Sequence, residues 1–497
     1  MWLLRISLRT PRTTPAAWSR RALSTLVDQE RYWHKTPWQH VSVDEFNCYR
    51  WQGRNTITNK LKLFRFLSEA LPEKLGESSD DLLKHITHKD AFIEDAIAAT
   101  KLAPMAIRLT PHILSLIDWQ NPLDDPIRKQ FVPLASSIIP DHKNVKLDSL
   151  GEEDDSPVPG LVHRYPGRAL FLATSICPVY CRYCTRSYAV GGGTDTVTKK
   201  PQKPSLTRWE TVFEYIQSRK DLKDIVVSGG DAYFLQPEDL LAIGKRLLGM
   251  NHIERVRFAS KGLAVAPCRI QEGDPWTEAL IMLSKQGRDL GKQVCLHTHI
   301  NHPREITWVT KKAANYLFRH GVIVRNQSVL LKGVNNDKEI MSTLIKRLAS
   351  INIQPYYVYQ CDMVQGIEDL RTPLQEIIDM DKHLRGTLSG FMMPSFVIDL
   401  PGGGGKRLVS THESYENGVA KYIAPGLRDG KNTREYTYHD PLPIPAAAWA
   451  ALRRHKAEAL RNGQTLEQVA HARASDVSPV YHDAPNTLSC ELQVAHG

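Results

Sequence analysis

The sequence predicts an α/β fold built on a parallel β-sheet, open or curled into a barrel. Two observations carry that expectation. From Arg168 onward, short apolar runs of strand length alternate with amphipathic stretches of helix length. The runs are apolar nearly throughout, as strands covered on both faces require. Their last residues are also chemically distinctive, which suits a sheet whose chemistry lies beyond the carboxyl ends of its strands.

Taken in order, the expected strands are 169–174, 224–228, 255–259, 293–297, 322–324, 354–359 and 396–399. Between them, 209–218, 237–248, 276–285, 306–320 and 337–350 have helical spacing. The strand ends gather Cys177, Cys181 and Cys184, then Ser228, Gly229, Gly230 and Asp231, then Ser260 and Lys261, His297 to His302, Gln327, Asp362 and Asp399. Upstream, residues 28–155 read as a helical region, with Leu61, Leu63, Phe64, Phe66 and Leu67 forming the apolar face of a helix over 59–71. Further helices are expected over 90–102 and 107–117. Pro140, Gly151, the acidic run Glu152 to Asp155, Pro157, Pro159 and Gly160 place a boundary within 139–160, so that the barrel takes residues 156–400. Residues 401–440 follow as closing elements. Pro441, Pro443 and Pro445 then introduce a terminal helix over 446–461 and a loose tail, within an appendage of residues 441–497.

With 42% apolar and 24% charged residues, the 497-residue chain is ordinary globular material, which excludes a disordered, collagenous or coiled-coil protein. No charge-free apolar run reaches the ~18 residues of a spanning helix. The net charge of +10 needs no nucleic-acid partner, because half of it comes from Arg5, Arg9, Arg12, Arg20 and Arg21. Those arginines lie in residues 1–27, a stretch without Asp, Glu or Lys and rich in Ser and Thr. That is the composition of a mitochondrial transit peptide, and it predicts a matrix protein.

Eight cysteines are too few for a disulfide scaffold, yet three stand in the spacing C-x3-C-x2-C. Three thiolates cannot fill a tetrahedral zinc site. They can hold three irons of a cubane cluster and leave the fourth open to a ligand. A zinc knuckle completed from elsewhere and unligated thiols are the alternatives. Lys406 follows four glycines, but Leu400 and Arg407 break the phosphate-loop pattern. Read alone, Lys406 is either a solvated loop lysine or an amine presented for a Schiff base.

The cysteine spacing after the first strand of a βα array resembles the radical S-adenosylmethionine enzymes. The stretches 49–55, 155–165, 177–186, 228–232, 301–307, 326–331, 360–362 and 399–406 are similar to their lysine 2,3-aminomutase family. The resemblance runs from about residue 45 to about residue 425. It implies a partial (β/α)6 TIM-type barrel with a helical N-terminal extension and a C-terminal appendage. It further implies an isomerase that interconverts L-lysine and L-β-lysine, with a [4Fe–4S] cluster, S-adenosylmethionine and pyridoxal phosphate. A ferredoxin- or flavodoxin-type electron donor and a homo-oligomer come with it.

On matching positions, the resemblance gives Cys177, Cys181 and Cys184 to the cluster and Lys406 to pyridoxal phosphate. Tyr165 would lie on the pyridine ring, with Arg164 and Arg168 near its phosphate. Ser228, Gly229, Gly230 and Asp231 would approach the methionyl part of S-adenosylmethionine, and His299 and Gln327 its ribose and adenine. Arg186 would take the substrate α-carboxylate, and Asp362 and Asp399 its distal ammonium. The chain departs from the family at Ser187 and Tyr188, where arginines are expected, at Lys261 and Gly262, and in lacking a C-terminal cysteine cluster, since only Cys490 lies beyond Cys361. The rival readings are an aminomutase for arginine or protein-bound lysine, a radical RNA-modifying enzyme favoured by a pI near 9.1, and a zinc-binding interaction module.

Overall fold

A computed structural model describes residues 30–200, 204–425 and 433–441. The expected leader, the terminal helix over 446–461, the tail and Cys490 lie outside the described residues.

One sheet of nine strands organises the molecule, in the order β1 to β9. β2 (Arg168–Thr174), β3 (Asp224–Gly229), β4 (Arg255–Ala259), β5 (Gln293–Thr298), β6 (Ile323–Val329), β7 (Ile353–Tyr359) and β8 (Ser395–Leu400) are parallel neighbours. The helices Leu206–Ser218, Pro237–Leu248, Pro275–Asp289, Trp308–Arg319, Lys338–Ser350 and Leu374–Arg385 follow β2 to β7 in turn. Six βα units and a seventh strand therefore make a partial barrel, as the sequence predicts.

Local chemistry fixes where these helices begin. The side chains of Ser205, Asp274, Thr307 and Asp337 each accept a hydrogen bond from a backbone N–H of the following first turn. Pro237 and Pro275 occupy first-turn positions, where a missing N–H is harmless. No helix among the described residues is long and apolar enough to cross a membrane.

Among the described residues, no hydrogen-bonded strand pairing closes the sheet. β1 (Leu161–Tyr165) and β9 (Gly405–Leu408) are antiparallel edge strands, on β2 and β8 respectively. Between these two edges runs a seam joined by other contacts. The backbone N–H of Lys406 donates to Tyr165 Oη at 3.1 Å, and that of Gly402 to the Ser149 carbonyl at 2.9 Å.

A second sheet, absent from the sequence expectation, lies beyond the seam: β10 (Ser414–Glu416), β11 (Val419–Pro425) and β12 (Thr433–His439), all antiparallel. Tyr438 ties it to the barrel, accepting from Gln360 Nε2 at 2.8 Å and donating to the Cys361 carbonyl at 3.1 Å.

The N-terminal region packs across the barrel. Two of its expected helices appear, as Lys60–Ala70 and Lys89–Leu102. The third shrinks to Pro111–Leu114: Thr110 caps its start, while Ser115 turns back onto Pro111 and ends it. Asp125 links this region to the barrel, capping the helix Pro126–Phe131 and pairing with Arg304 at 2.7 Å.

Candidate active site

A cavity of about 380 Å³ opens within the partial barrel. Every site residue expected from the sequence lines it except Asp362.

Cys177, Cys181 and Cys184 stand in the loop after β2, on the cavity wall. That loop is located by backbone contacts from the end of β3. Gly230 N–H donates to the Thr174 carbonyl at 2.6 Å, and Asp231 N–H to that of Ile176 at 2.9 Å. Side chains cannot fit between. A Cβ on Gly229, whose φ is +119°, would lie 2.0 Å from Thr174 O, and one on Gly230 2.4 Å from Ile176 O. Both Asp231 carboxylate oxygens accept backbone N–H groups, from Tyr233 at 2.8 Å and Lys261 at 2.7 Å, so Asp231 joins the ends of β3 and β4. Burial raises all three thiols, Cys181 to about 12. Metal ligation would have to displace their protons.

Lys406 begins at the other wall. Gly402, Gly403 and Gly405 adopt positive φ, and a Cβ on Gly404 would meet the Tyr436 ring at 2.7 Å. This accounts for the glycine run: it turns the chain from β8 into β9 beneath the second sheet. Lys406 Nζ lies 2.5 Å from Asp399. Burial works against its charge, but Asp399 prevails and the lysine pKa is raised. Burial likewise opposes the Asp399 charge, yet Lys406 and Arg164 hold that carboxyl below its ordinary value.

Arg164 is already engaged. Its Nε donates to Asp155 at 2.7 Å, its Nη2 to the Leu150 carbonyl at 2.6 Å, and its Nη1 lies 3.9 Å from Asp399. Only Nη1, beyond hydrogen-bond distance of Asp399, is left for the expected phosphate contact. Arg168 covers the Tyr165 ring at 4.0 Å, taking one face of the aromatic expected to stack on pyridoxal phosphate.

Arg186 forms a two-pronged pair with Glu152, Nε at 2.8 Å and Nη2 at 2.7 Å, and Tyr188 donates to the same carboxylate at 3.0 Å. Nη1 remains for a carboxylate ligand. Asp362 stands back from the cavity and accepts from Thr185 Oγ1 at 2.6 Å. Burial, then the nearby Asp399 charge, pushes its pKa up to about 7.

His299 has both ring nitrogens occupied, Nδ1 on the Gln327 carbonyl at 2.6 Å and Nε2 with Tyr183 Oη at 3.0 Å. A contact with adenine or ribose would therefore use its ring face unless Tyr183 yields. The Gln327 side chain donates to His297 Nδ1 at 2.9 Å and accepts from Tyr359 at 3.2 Å. Lys261 turns away, donating to the His299 carbonyl and to Glu305.

Sequence reasoning placed His297 at a strand end without giving it a role, and missed Glu152, Arg257 and Tyr359, although all four line the cavity. Glu152 was hidden in an acidic run that reads as a linker. Arg257 was visible in principle, as a basic residue within an otherwise apolar strand.

The residues fit the cofactors the resemblance implies. Among the described residues no three His, Cys, Asp or Glu groups converge as a single metal ion requires. Three thiols that each take a different iron of a cubane need not converge. Lys406 faces the cavity beside Tyr165 and Tyr359. The buried donors Arg257 Nη2 and His297 Nε2 have no hydrogen-bond partner, as the walls of an anion site would.

No family model matches the chain. It is 39% identical over 406 residues to the L-lysine 2,3-aminomutase of Acetoanaerobium sticklandii, covering 80% of this chain and 88% of the relative. To that of Clostridium subterminale it is 38% identical over 402 residues, 81% and 86% of the two chains. The glutamate 2,3-aminomutase of Clostridioides difficile is 29% identical over 393 residues, 78% and 83%. The solved Streptococcus suis SuiB, bound to the precursor peptide SuiA, matches with TM-score 0.32 at 14% identity over 45% of this chain and 46% of its own, too loosely to carry an argument.

Proposed function

Because the chain belongs to the radical S-adenosylmethionine aminomutase family, whose enzymes use a [4Fe–4S] cluster, S-adenosylmethionine and pyridoxal phosphate, we propose that it interconverts L-lysine and L-β-lysine by moving the amino group from C2 to C3. The observation that carries the choice of lysine is Asp399. It is a buried carboxylate on the cavity wall that already holds an ammonium, that of Lys406, at 2.5 Å. Asp362 adds a second carboxyl close behind. A substrate ending in a carboxylate would be repelled there.

When bound, the cluster and S-adenosylmethionine supply a carbon radical, and pyridoxal phosphate a conjugated system for the migrating amino group. The chain's residues bind, orient and shield. Arg186 Nη1 takes the α-carboxylate while Glu152 and Tyr188 fix the guanidinium plane. Asp399 takes the distal ammonium. These two contacts stretch the substrate between opposite charges and hold its reacting carbons in one place. Lys406 is nucleophilic only after losing a proton that Asp399 helps it keep. A cationic side chain arriving at Asp399 competes for that carboxylate and eases the loss. The enclosing barrel would keep the substrate the nearest source of hydrogen to a carbon radical.

Anaerobic incubation with lysine, arginine, glutamate and a lysine-containing peptide, with all three cofactors and a one-electron donor of ferredoxin or flavodoxin type, tests this reading. β-Lysine should be the dominant product. Faster turnover of glutamate, or of lysine within the peptide, would overturn it. Borohydride reduction of the loaded enzyme should place pyridoxal phosphate on Lys406. Residues 1–27 support a matrix location. A cytosolic protein with Met1 retained would exclude it.

A further inference from the structure

Two carboxylates compete for one guanidinium across the seam. Asp155, Arg164 and Asp399 are all buried, at 5%, 6% and 6% exposure. Asp155 takes Arg164 Nε at 2.7 Å, and the Leu150 carbonyl takes Nη2 at 2.6 Å. Nη1, which faces Asp399, stops 3.9 Å from Oδ1, outside hydrogen-bond distance. Of the two Asp399 oxygens, Oδ2 holds Lys406 Nζ. Oδ1 is buried and has no hydrogen-bond partner among the described residues.

A buried carboxylate oxygen without a donor is costly, and here a donor that could serve it lies just out of reach. The reason is on the far side of Arg164. Its guanidinium is planar, and with two nitrogens gripped it cannot swing the third towards Asp399 without loosening both. The grip is itself braced. Asp155 ends a turn in which the two Asp148 carboxylate oxygens accept the backbone N–H groups of Glu152 and Glu153, each at 3.0 Å. The Asp155 carbonyl accepts from His163 N–H at 2.8 Å, and the Ser149 carbonyl from Gly402 N–H at 2.9 Å. The turn is thereby fixed against both β1 and the glycine run before Lys406. Asp155 itself does not line the cavity.

We infer that Asp155 is a positioning residue for substrate selection: it withholds Arg164 from Asp399, so that Asp399 Oδ1 stays open for the distal ammonium of the substrate. The inference rests on the lysine reading proposed above. An ammonium arriving at a carboxylate already bonded to a guanidinium would have to displace one charge-assisted hydrogen bond to form another, with little gain. An ammonium arriving at an open, buried Oδ1 satisfies an acceptor that nothing else serves. The guanidinium still acts at a distance. With Lys406 it holds the Asp399 carboxyl below its ordinary value. Arg164 is therefore near enough to keep Asp399 charged and too far to occupy it, and Asp155 sets that separation.

The test measures binding of lysine and of norleucine, which has the same carbon chain and no distal ammonium. Calorimetric titration uses the full-length protein with saturating pyridoxal phosphate and no S-adenosylmethionine, so nothing turns over. The unaltered protein should prefer lysine. Asp155→Asn removes the charge that holds Arg164, and should weaken lysine about tenfold while leaving norleucine within about twofold. Adding Arg164→Gln to Asp155→Asn removes the released competitor and should restore most of the preference. A merely structural role would weaken both amino acids alike and would not be rescued. The double variant removes both charges of the pair, so it gives an answer even where Asp155→Asn alone fails to fold: it should still prefer lysine. Equal loss of both ligands in Asp155→Asn, an unchanged preference there, or a double variant that does not prefer lysine would overturn the inference. In each case the preference of the unaltered protein leaves the lysine reading standing. No preference for lysine in the unaltered protein would overturn that reading and the inference with it.

Discussion

The cysteine loop and the lysine seam face one cavity but are held by different forces. Backbone hydrogen bonds and the absence of side chains at Gly229 and Gly230 set the cysteine loop. The seam is held largely by charge: Lys406 to Asp399, Asp399 towards Arg164, and Arg164 to Asp155. The first arrangement is intolerant of added volume. The second responds to changes of charge at the lysine, although the glycine turn before it leaves no more room for added volume than the first. An enzyme whose cluster must stay fixed while its lysine exchanges partners has reason to keep the two separate.

The comparison breaks most visibly at the loop. Gly230→Ala forces a Cβ to within 2.4 Å of Ile176 O, and the strain should exceed about 3 kcal/mol. Iron content after anaerobic reconstitution should collapse, as it should in any Cys177, Cys181 or Cys184 alanine variant. Normal iron in Gly230→Ala would show that the loop is not fixed by this packing.

At the seam, Asp399→Asn should spare iron content and reduce kcat/KM for lysine by on the order of 10²–10³, since stranding a buried charge costs about 3–5 kcal/mol. Turnover at the parent rate would remove Asp399 from substrate binding. Glu152→Gln is a milder change, loosening the Arg186 guanidinium without removing it. KM should rise about tenfold for every amino acid that turns over, with kcat less affected. A change confined to lysine would contradict a carboxylate contact shared by all substrates.

The smallest expected effect is on pH dependence. Asp362, raised to about 7, is ionised above that pH and neutral below it. Lysine affinity should therefore weaken severalfold as pH falls from 8 to 6, by roughly the value of a partly screened charge. Asp362→Asn should flatten the profile, and a profile that keeps its slope in the variant would point to another group.

Legibility in the sequence follows the same division. Most of the parallel strands could be read because they are buried apolar runs between turn residues, whereas β6 was expected only over 322–324 because Arg325 to Ser328 are polar; the cysteine loop could be read because its spacing is itself the signal. β1 and the three strands β10 to β12 could not be. β12 opens on three consecutive exposed residues, Thr433 to Glu435, and buries only Tyr438, a pattern that resembles surface loop until its partners are known. In the site, glycine, cysteine and lysine were found from local pattern. Glu152 and Asp155 were not, because their meaning depends on Arg186 and Arg164, which are remote in the chain and adjacent only after folding.

The Tyr436 ring against Gly404 has a consequence for the order in which the protein is made. β12 leaves the ribosome after the whole barrel, and its ring is what presses on the turn that presents Lys406. During synthesis there is an interval in which the sheet and the cysteine loop are complete and the lysine turn is not yet clamped. The aldehyde-binding half of the site is thus completed by the last strand, so in a chain that folds from its N-terminus the cysteine loop is in place before the lysine turn is clamped.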